Sequence, residues 1–114
     1  MVAPTVGAVV LVRFPFSDLS QTKLRPAVLL ADVRRGDFIL CQITSKPYGD
    51  ASAIELDDGA FASGSLRVIS YARPAKLFTA NRNLITSQVG NLKPAAVRRI
   101  AQTVANIVNA GKLP

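Results

Sequence analysis

The chain has 114 residues, 49% of them apolar, with a net charge of +7, one cysteine, no histidine and no tryptophan. That length suits one domain with a modest core. The apolar share excludes a disordered chain, and no apolar run reaches the ~18 residues of a membrane span. A lone cysteine, Cys41, excludes an internal disulfide and points to a cytoplasmic protein.

In chain order, the near-continuous apolar run over residues 8–14 predicts a first strand. It lacks the basic lead and small-residue cleavage site of a signal peptide. Residues 17–24 are polar and predict a loop, with Asp18, Ser20 and Thr22 able to form local side-chain turns. Residues 26–33 predict a second strand opened by Pro26. Proline forces the residue before it into extended geometry, so Arg25 is held at the strand mouth. Arg34-Arg35-Gly36-Asp37 has turn chemistry, and with a strand over 38–44 it predicts a hairpin. Residues 46–52 read as a longer loop, 53–56 as a short strand and 57–59 as a turn. Two further strands are expected over 66–71 and 75–78.

The period then changes. Val97, Ile100, Ala101, Val104, Ile107 and Val108 recur on one helical face. Pro94 suits a first turn and Gly111 a terminator. One helix over 94–109 is expected to seal the open end of a small barrel, with Val97, Ile100, Val104 and Ile107 each contributing roughly 1.5–3 kcal/mol on burial. The fold class is therefore mainly β, a compact barrel with a C-terminal helix.

Charge is unevenly spread. All seven acidic residues lie at or before Asp58, whereas eight cations and no carboxylate follow it. Such asymmetry points to a polyanionic partner, a nucleic acid or an acidic protein. Without histidine, His-activated nucleophiles and His acid–base pairs are excluded. One cysteine cannot build a zinc site. Asp50, Glu55, Asp57 and Asp58 lie on or beside loops and read as a turn and a solvated edge rather than a cage for a hard cation. No Gly-rich phosphate loop is present, and no cofactor is implied.

Arginine, hydroxyl and tyrosine side chains remain. RNA carries its own nucleophile in the 2′-hydroxyl, so an enzyme for it needs orientation and charge stabilisation at the phosphate. Arg25 is a candidate phosphate clamp, its guanidinium a planar fork of donors. If the strands over 26–33 and 38–44 are antiparallel, Thr44 and Ser45 come to lie beside Arg25. Arg73-Pro74 repeats the arginine-before-proline arrangement, making Arg73 a second candidate clamp with Lys76 nearby. Tyr48 and Tyr71 are candidates for stacking on unpaired bases.

These motifs resemble a known family. Val10-Leu11-Val12-Arg13-Phe14-Pro15-Phe16-Ser17-Asp18, then Lys23-x-Arg25-Pro26-Ala27-Val28-Leu29, then Gln42-Ile43-Thr44-Ser45, are similar to the MazF/PemK toxin endoribonucleases. Arg73, Val89-Gly90-Asn91-Leu92 and the closing helix agree in order. The resemblance implies a small SH3-like barrel of the CcdB/Kid/MazF kind and a homodimer. It further implies metal-independent cleavage of single-stranded RNA to 2′,3′-cyclic phosphate and 5′-hydroxyl ends, and neutralisation by a small acidic antitoxin. It assigns Arg25 and Thr44 as catalytic, with Ser45 and Arg73 at secondary positions of the site. In one respect the chain departs from the family. Active members carry an acidic residue two positions after the arginine matching Arg73, and Ala75 stands there. Asp18 is a possible substitute.

Two other functions compete with the endoribonuclease: a catalytically inactive nucleic-acid-binding module, consistent with Ala75, and a gyrase poison of the CcdB kind. The latter relies on a C-terminal tryptophan, and this chain has none.

Overall fold

The first three strands are buried on both faces, which explains their near-continuous apolar runs. In the computed structural model, which describes residues 4–14 and 23–111, alternate residues of each strand feed two separate cores. Ala8, Val10, Val12, Ala27, Leu29, Phe38 and Leu40 enter one. Val9, Val28, Cys41 and Ile43 enter the other.

Among the described residues seven strands form one antiparallel sheet: β1 (Ala8–Phe14), β2 (Lys23–Asp32), β3 (Asp37–Thr44), β4 (Ile54–Leu56), β5 (Phe61–Gly64), β6 (Ser70–Asn81) and β7 (Ile85–Leu92). Their lateral order is β4-β6-β3-β2-β1-β7-β5. The two edge strands, β4 and β5, are consecutive in sequence and joined by a 3-10 turn, Asp58–Ala60. So short a link draws the two edges together, and the sheet curls into a nearly closed barrel. The β5–β7 pairing beside this edge is tight: a β-carbon on Gly64 would lie 2.1 Å from the Val89 carbonyl oxygen, and one on Gly90 2.7 Å from that of Ser63.

β1 and the β2–β3 hairpin agree with the sequence. The hairpin turn is closed by Val33 N–H to Asp37 O (3.0 Å) and Asp37 N–H to Arg34 O (3.0 Å). Arg34, Arg35 and Gly36 all adopt positive φ. The Asp32 carboxylate accepts from Arg34 N–H at 2.8 Å, which offsets part of the cost of left-handed backbone at a non-glycine.

Three expectations are corrected. β2 begins at Lys23, so Arg25 and Pro26 lie inside the strand rather than at its first residue. The expected strands over 66–71 and 75–78 are replaced by one long β6, which absorbs Pro74 in a bulge: Cys41 pairs with Leu77, but Ile43 with Ala72. Residues 65–69 precede it as irregular chain turned by Arg67 at φ 70°. β5 and β7 had no expected counterpart.

Helix α1 (Pro94–Ala110) carries Pro94 in its first turn and ends with Gly111 N–H on Ile107 O at 3.0 Å. It packs chiefly against β6. Only Ile100 is fully buried, with Ala96, Val97 and Val104 half-buried against the second core. Ile107 contributes to neither core, and Val108 is 69% exposed. The apolar stripe is therefore longer than the surface it covers. Among the described residues no helix is long and apolar enough to cross a membrane.

Candidate active site

Pro26 determines where the site opens. It pairs with Leu11 of β1. A residue without an N–H can enter an antiparallel ladder only as a non-hydrogen-bonded pair, so its nitrogen faces β3 on the other side. On that side the described pairs stop at Ala27 and Gln42. The β2–β3 ladder thus ends beside the proline ring, and a cavity of about 370 Å³ lies at the parted strand ends.

Continuing the register by two positions sets Arg25 opposite Thr44. Both line this cavity, together with Lys23, Leu24, Pro26, Ile43, Ser45, Leu66, Val68 and Ser70. Two cations and three hydroxyls thus share the cavity with apolar walls, and no carboxylate is among its described lining residues. Arg25 is exposed, with no ion-pair partner among the described residues. The Thr44 hydroxyl closes a local turn: its Oγ1 accepts from Lys46 N–H at 3.1 Å and lies 3.3 Å from Lys46 O. This strand-ending turn fixes the rotamer of a side chain that faces the ligand space. Tyr71 is half-buried opposite Thr44 on β6, and Glu55 is exposed beyond it on β4.

Arg73, Lys76 and Tyr48 are not among the residues lining the cavity. Arg73 sits in the β6 bulge, where its Nε donates to Asp50 Oδ2 at 2.8 Å. It is therefore engaged in a part-buried ion pair rather than standing free as a second clamp. Lys76, in the same bulge, is exposed. Tyr48 stands at the tip of the β3–β4 loop, 86% exposed. Asp18 lies outside the described residues.

Asp50, which read as part of a loop, is the centre of a small network. Its Oδ1 accepts from Ser52 N–H (3.0 Å) and Ser52 Oγ (2.8 Å). The Arg73 side chain, helped by Ser52, holds its carboxyl below the ordinary 3.8. The only local sequence signal is the Asp-x-Ser spacing of a side-chain turn. On the core side, burial pushes the Cys41 thiol up to about 12, against a lowering contribution from the Arg73 backbone N–H. A thiol so strongly protonated is no nucleophile at neutral pH. Among the described residues no group of three or more His, Cys, Asp or Glu is placed to hold a metal ion. A second cavity of about 280 Å³, lined by Asp57, Asp58, Gly59, Arg67, Val68 and Ile69, shares Val68 with the first.

Solved structures share this architecture. An endoribonuclease in complex with its cognate antitoxin, from a mycobacterial species, superposes with a TM-score of 0.70 at 15% identity, covering 100% of this chain and 98% of that one. The Mycobacterium tuberculosis toxin MazF-mt6 gives 0.69 at 17% identity, covering 90% and 96%. A chain of a MazE–MazF crystal structure from Deinococcus radiodurans gives 0.75 at 16% identity, covering 93% and 96%. At these identities the likeness is one of fold. No curated protein sequence matches the chain. The family profile of PemK-like, MazF-like toxins does match, over residues 5–108. With nearly the whole described barrel and helix inside that span, the chain belongs to the PemK-like, MazF-like toxin family of type II toxin–antitoxin systems.

Proposed function

We propose that this toxin is an endoribonuclease that cleaves single-stranded RNA at the Arg25–Thr44 cavity. The observation that carries this reading is the convergence of an exposed guanidinium and an oriented hydroxyl, where two strands part, in a cavity with no carboxylate among its described lining residues. A phosphodiester is an anion, and a described lining with Lys23 and Arg25 but no acid attracts it.

In the reaction the ribose O2′ attacks the adjacent phosphorus. The O2′–P bond forms, the P–O5′ bond breaks, and the 2′-hydroxyl proton is lost as O5′ gains one. The products are a 2′,3′-cyclic phosphate and a 5′-hydroxyl. Negative charge grows on the non-bridging oxygens, and Arg25 stabilises it with fixed donors. Guanidinium stays protonated at neutral pH, so Arg25 acts as an electrostatic partner and not as the base. Thr44 holds the phosphate or the 2′-hydroxyl in line. Ser45 extends this surface, and Tyr48, Arg73 and Lys76 flank it on the adjoining loop and bulge. No metal takes part in this scheme. The partner that silences the toxin is a small acidic antitoxin, drawn to the excess positive charge, and the working form is a cytoplasmic homodimer.

The test is incubation of purified protein with a mixed-base RNA in excess chelator. Fragments ending in cyclic phosphate are expected, and an Arg25→Ala protein that cleaves at the wild-type rate would refute the assignment. One observation favours a second reading. Ala75 and the acid-free lining leave no carboxylate at the cavity as described, consistent with a module that binds RNA without cutting it. RNA retained intact by the folded protein would establish that alternative.

A further inference from the structure

The β3–β4 loop holds an aromatic side chain in water at a price the backbone should not bear unaided. Tyr48 is 86% exposed and sits at φ 46°, a left-handed conformation that side chains other than glycine adopt rarely. Such geometry persists where its surroundings over-determine it. Here the surroundings converge on one carboxylate. Asp50 receives Arg73 Nε on one oxygen (2.8 Å) and the Ser52 N–H and hydroxyl on the other (3.0 and 2.8 Å). Its own N–H bonds to Pro47 O at 3.0 Å, and its C=O accepts from Ala53 N–H at 3.2 Å. Arg73 is itself fixed, flanked by the fully buried Pro74 in the β6 bulge.

We propose that the Asp50–Arg73 pair is a positioning clasp that holds Tyr48 out as a stacking platform for an unpaired nucleobase beside the Arg25–Thr44 cavity. The inference rests on the reading of that cavity as an RNA site. Tyr48 lies three residues beyond Ser45, which lines the cavity, so at most ~11 Å of chain separates them. A nucleotide next to the one held by Arg25 is within that reach. Every base offers a π-face, and stacking on exposed aromatics is a common way of holding single strands. Asp50 and Arg73 touch no RNA in this account; they act through the tyrosine.

The test uses Tyr48 as its own reporter. The chain has no tryptophan and two tyrosines, so Tyr71→Phe leaves Tyr48 as the single emitter. Adding a mixed-sequence 2′-O-methyl RNA, which cannot be cleaved through O2′, is expected to quench its fluorescence and raise its anisotropy. Tyr48→Ala should weaken binding of this oligonucleotide about tenfold, and Tyr48→Phe should restore it. Asp50→Asn should lower the resting anisotropy of Tyr48 and weaken binding to a similar extent. The double variant Asp50→Asn/Tyr48→Ala should bind no worse than Tyr48→Ala alone.

Tight binding by Tyr48→Ala would overturn the proposal, and so would fully additive losses in the double variant. Tyr48→Ala changes an exposed loop tip, so it remains informative if Asp50→Asn folds poorly. The binding assay is also independent of cleavage. Stacking without cutting would refute the endoribonuclease and leave the platform standing. Cutting with a silent Tyr48 would do the reverse.

Discussion

The dipeptide Arg-Pro occurs twice on strands of this barrel, and its two copies have opposite fates. At Arg25-Pro26 the proline ring ends a ladder, the strands part and the arginine faces solvent in the resulting cavity. At Arg73-Pro74 the proline is fully buried in a bulge and the arginine is consumed by Asp50. The same local chemistry yields an open anion site in one place and a structural joint in the other. What differs is the neighbour. Arg25 faces the hydroxyl of Thr44, whereas Arg73 faces a carboxylate from 23 residues upstream.

The largest expected contrast is between the two arginine deletions. Arg25→Ala should lower the RNA cleavage rate by about 10²–10³ and leave the melting temperature within a degree or two of wild type, since an exposed side chain supports little stability (about 0.5 kcal/mol or less). Arg73→Ala leaves a part-buried carboxylate unpaired. It should cost about 1–2 kcal/mol, less than a fully buried pair would, and lower the melting temperature by about 5–10 °C. Thermal melts and initial rates on the same two proteins check both halves. Equal loss of stability in the two variants would erase the distinction.

The prolines sharpen the comparison at smaller scale. Pro26→Ala restores an N–H directed at β3 and lets the ladder extend toward Thr44. We expect cleavage to fall about tenfold, from a shift of about 1.4 kcal/mol in the geometry of the site, with stability unchanged or raised. A slowly exchanging amide at position 26 would show the added bond. Pro74→Ala should instead destabilise by about 1 kcal/mol through lost packing and leave the cleavage rate of the folded protein unchanged at saturating RNA.

The smallest expected effect is acid sensitivity. The Asp50 carboxyl lies below its ordinary 3.8 in the folded protein. Above 3.8 both folded and unfolded chains carry the ionised form, and the stabilisation from Arg73 is fully present. As pH falls past 3.8 the unfolded chain takes up its proton first, so the advantage drains away and is gone below the lower folded value. Asp50→Asn should therefore flatten the fall in melting temperature between about pH 5 and about pH 3. An unchanged slope would show that the pair contributes nothing there.

Much of this was legible from local pattern. β1, the Arg34–Gly36 turn and α1 each carry a strong periodic or turn signal, and the hairpin register alone predicts that Arg25 and Thr44 are neighbours. β7 was hidden because Thr86-Ser87-Gln88 is polar and Gly90-Asn91 reads as a turn. Gly90 is in fact required by the close approach of Ser63 on the paired strand β5. The alternation of Leu66, Val68 and Ser70 mimics a strand, yet the chain there is irregular and leaves Val68 exposed. The Asp50–Arg73 pair was illegible for a different reason. It depends on how a bulge in one strand re-aims a side chain toward a distant loop, and no local periodicity encodes that.

A ring that seals off an amide nitrogen cannot be undone by thermal motion. The gap at Pro26 therefore cannot be closed by a bond from that nitrogen. A guest entering there need not pry the ribbons apart, and none of its affinity is diverted to that work.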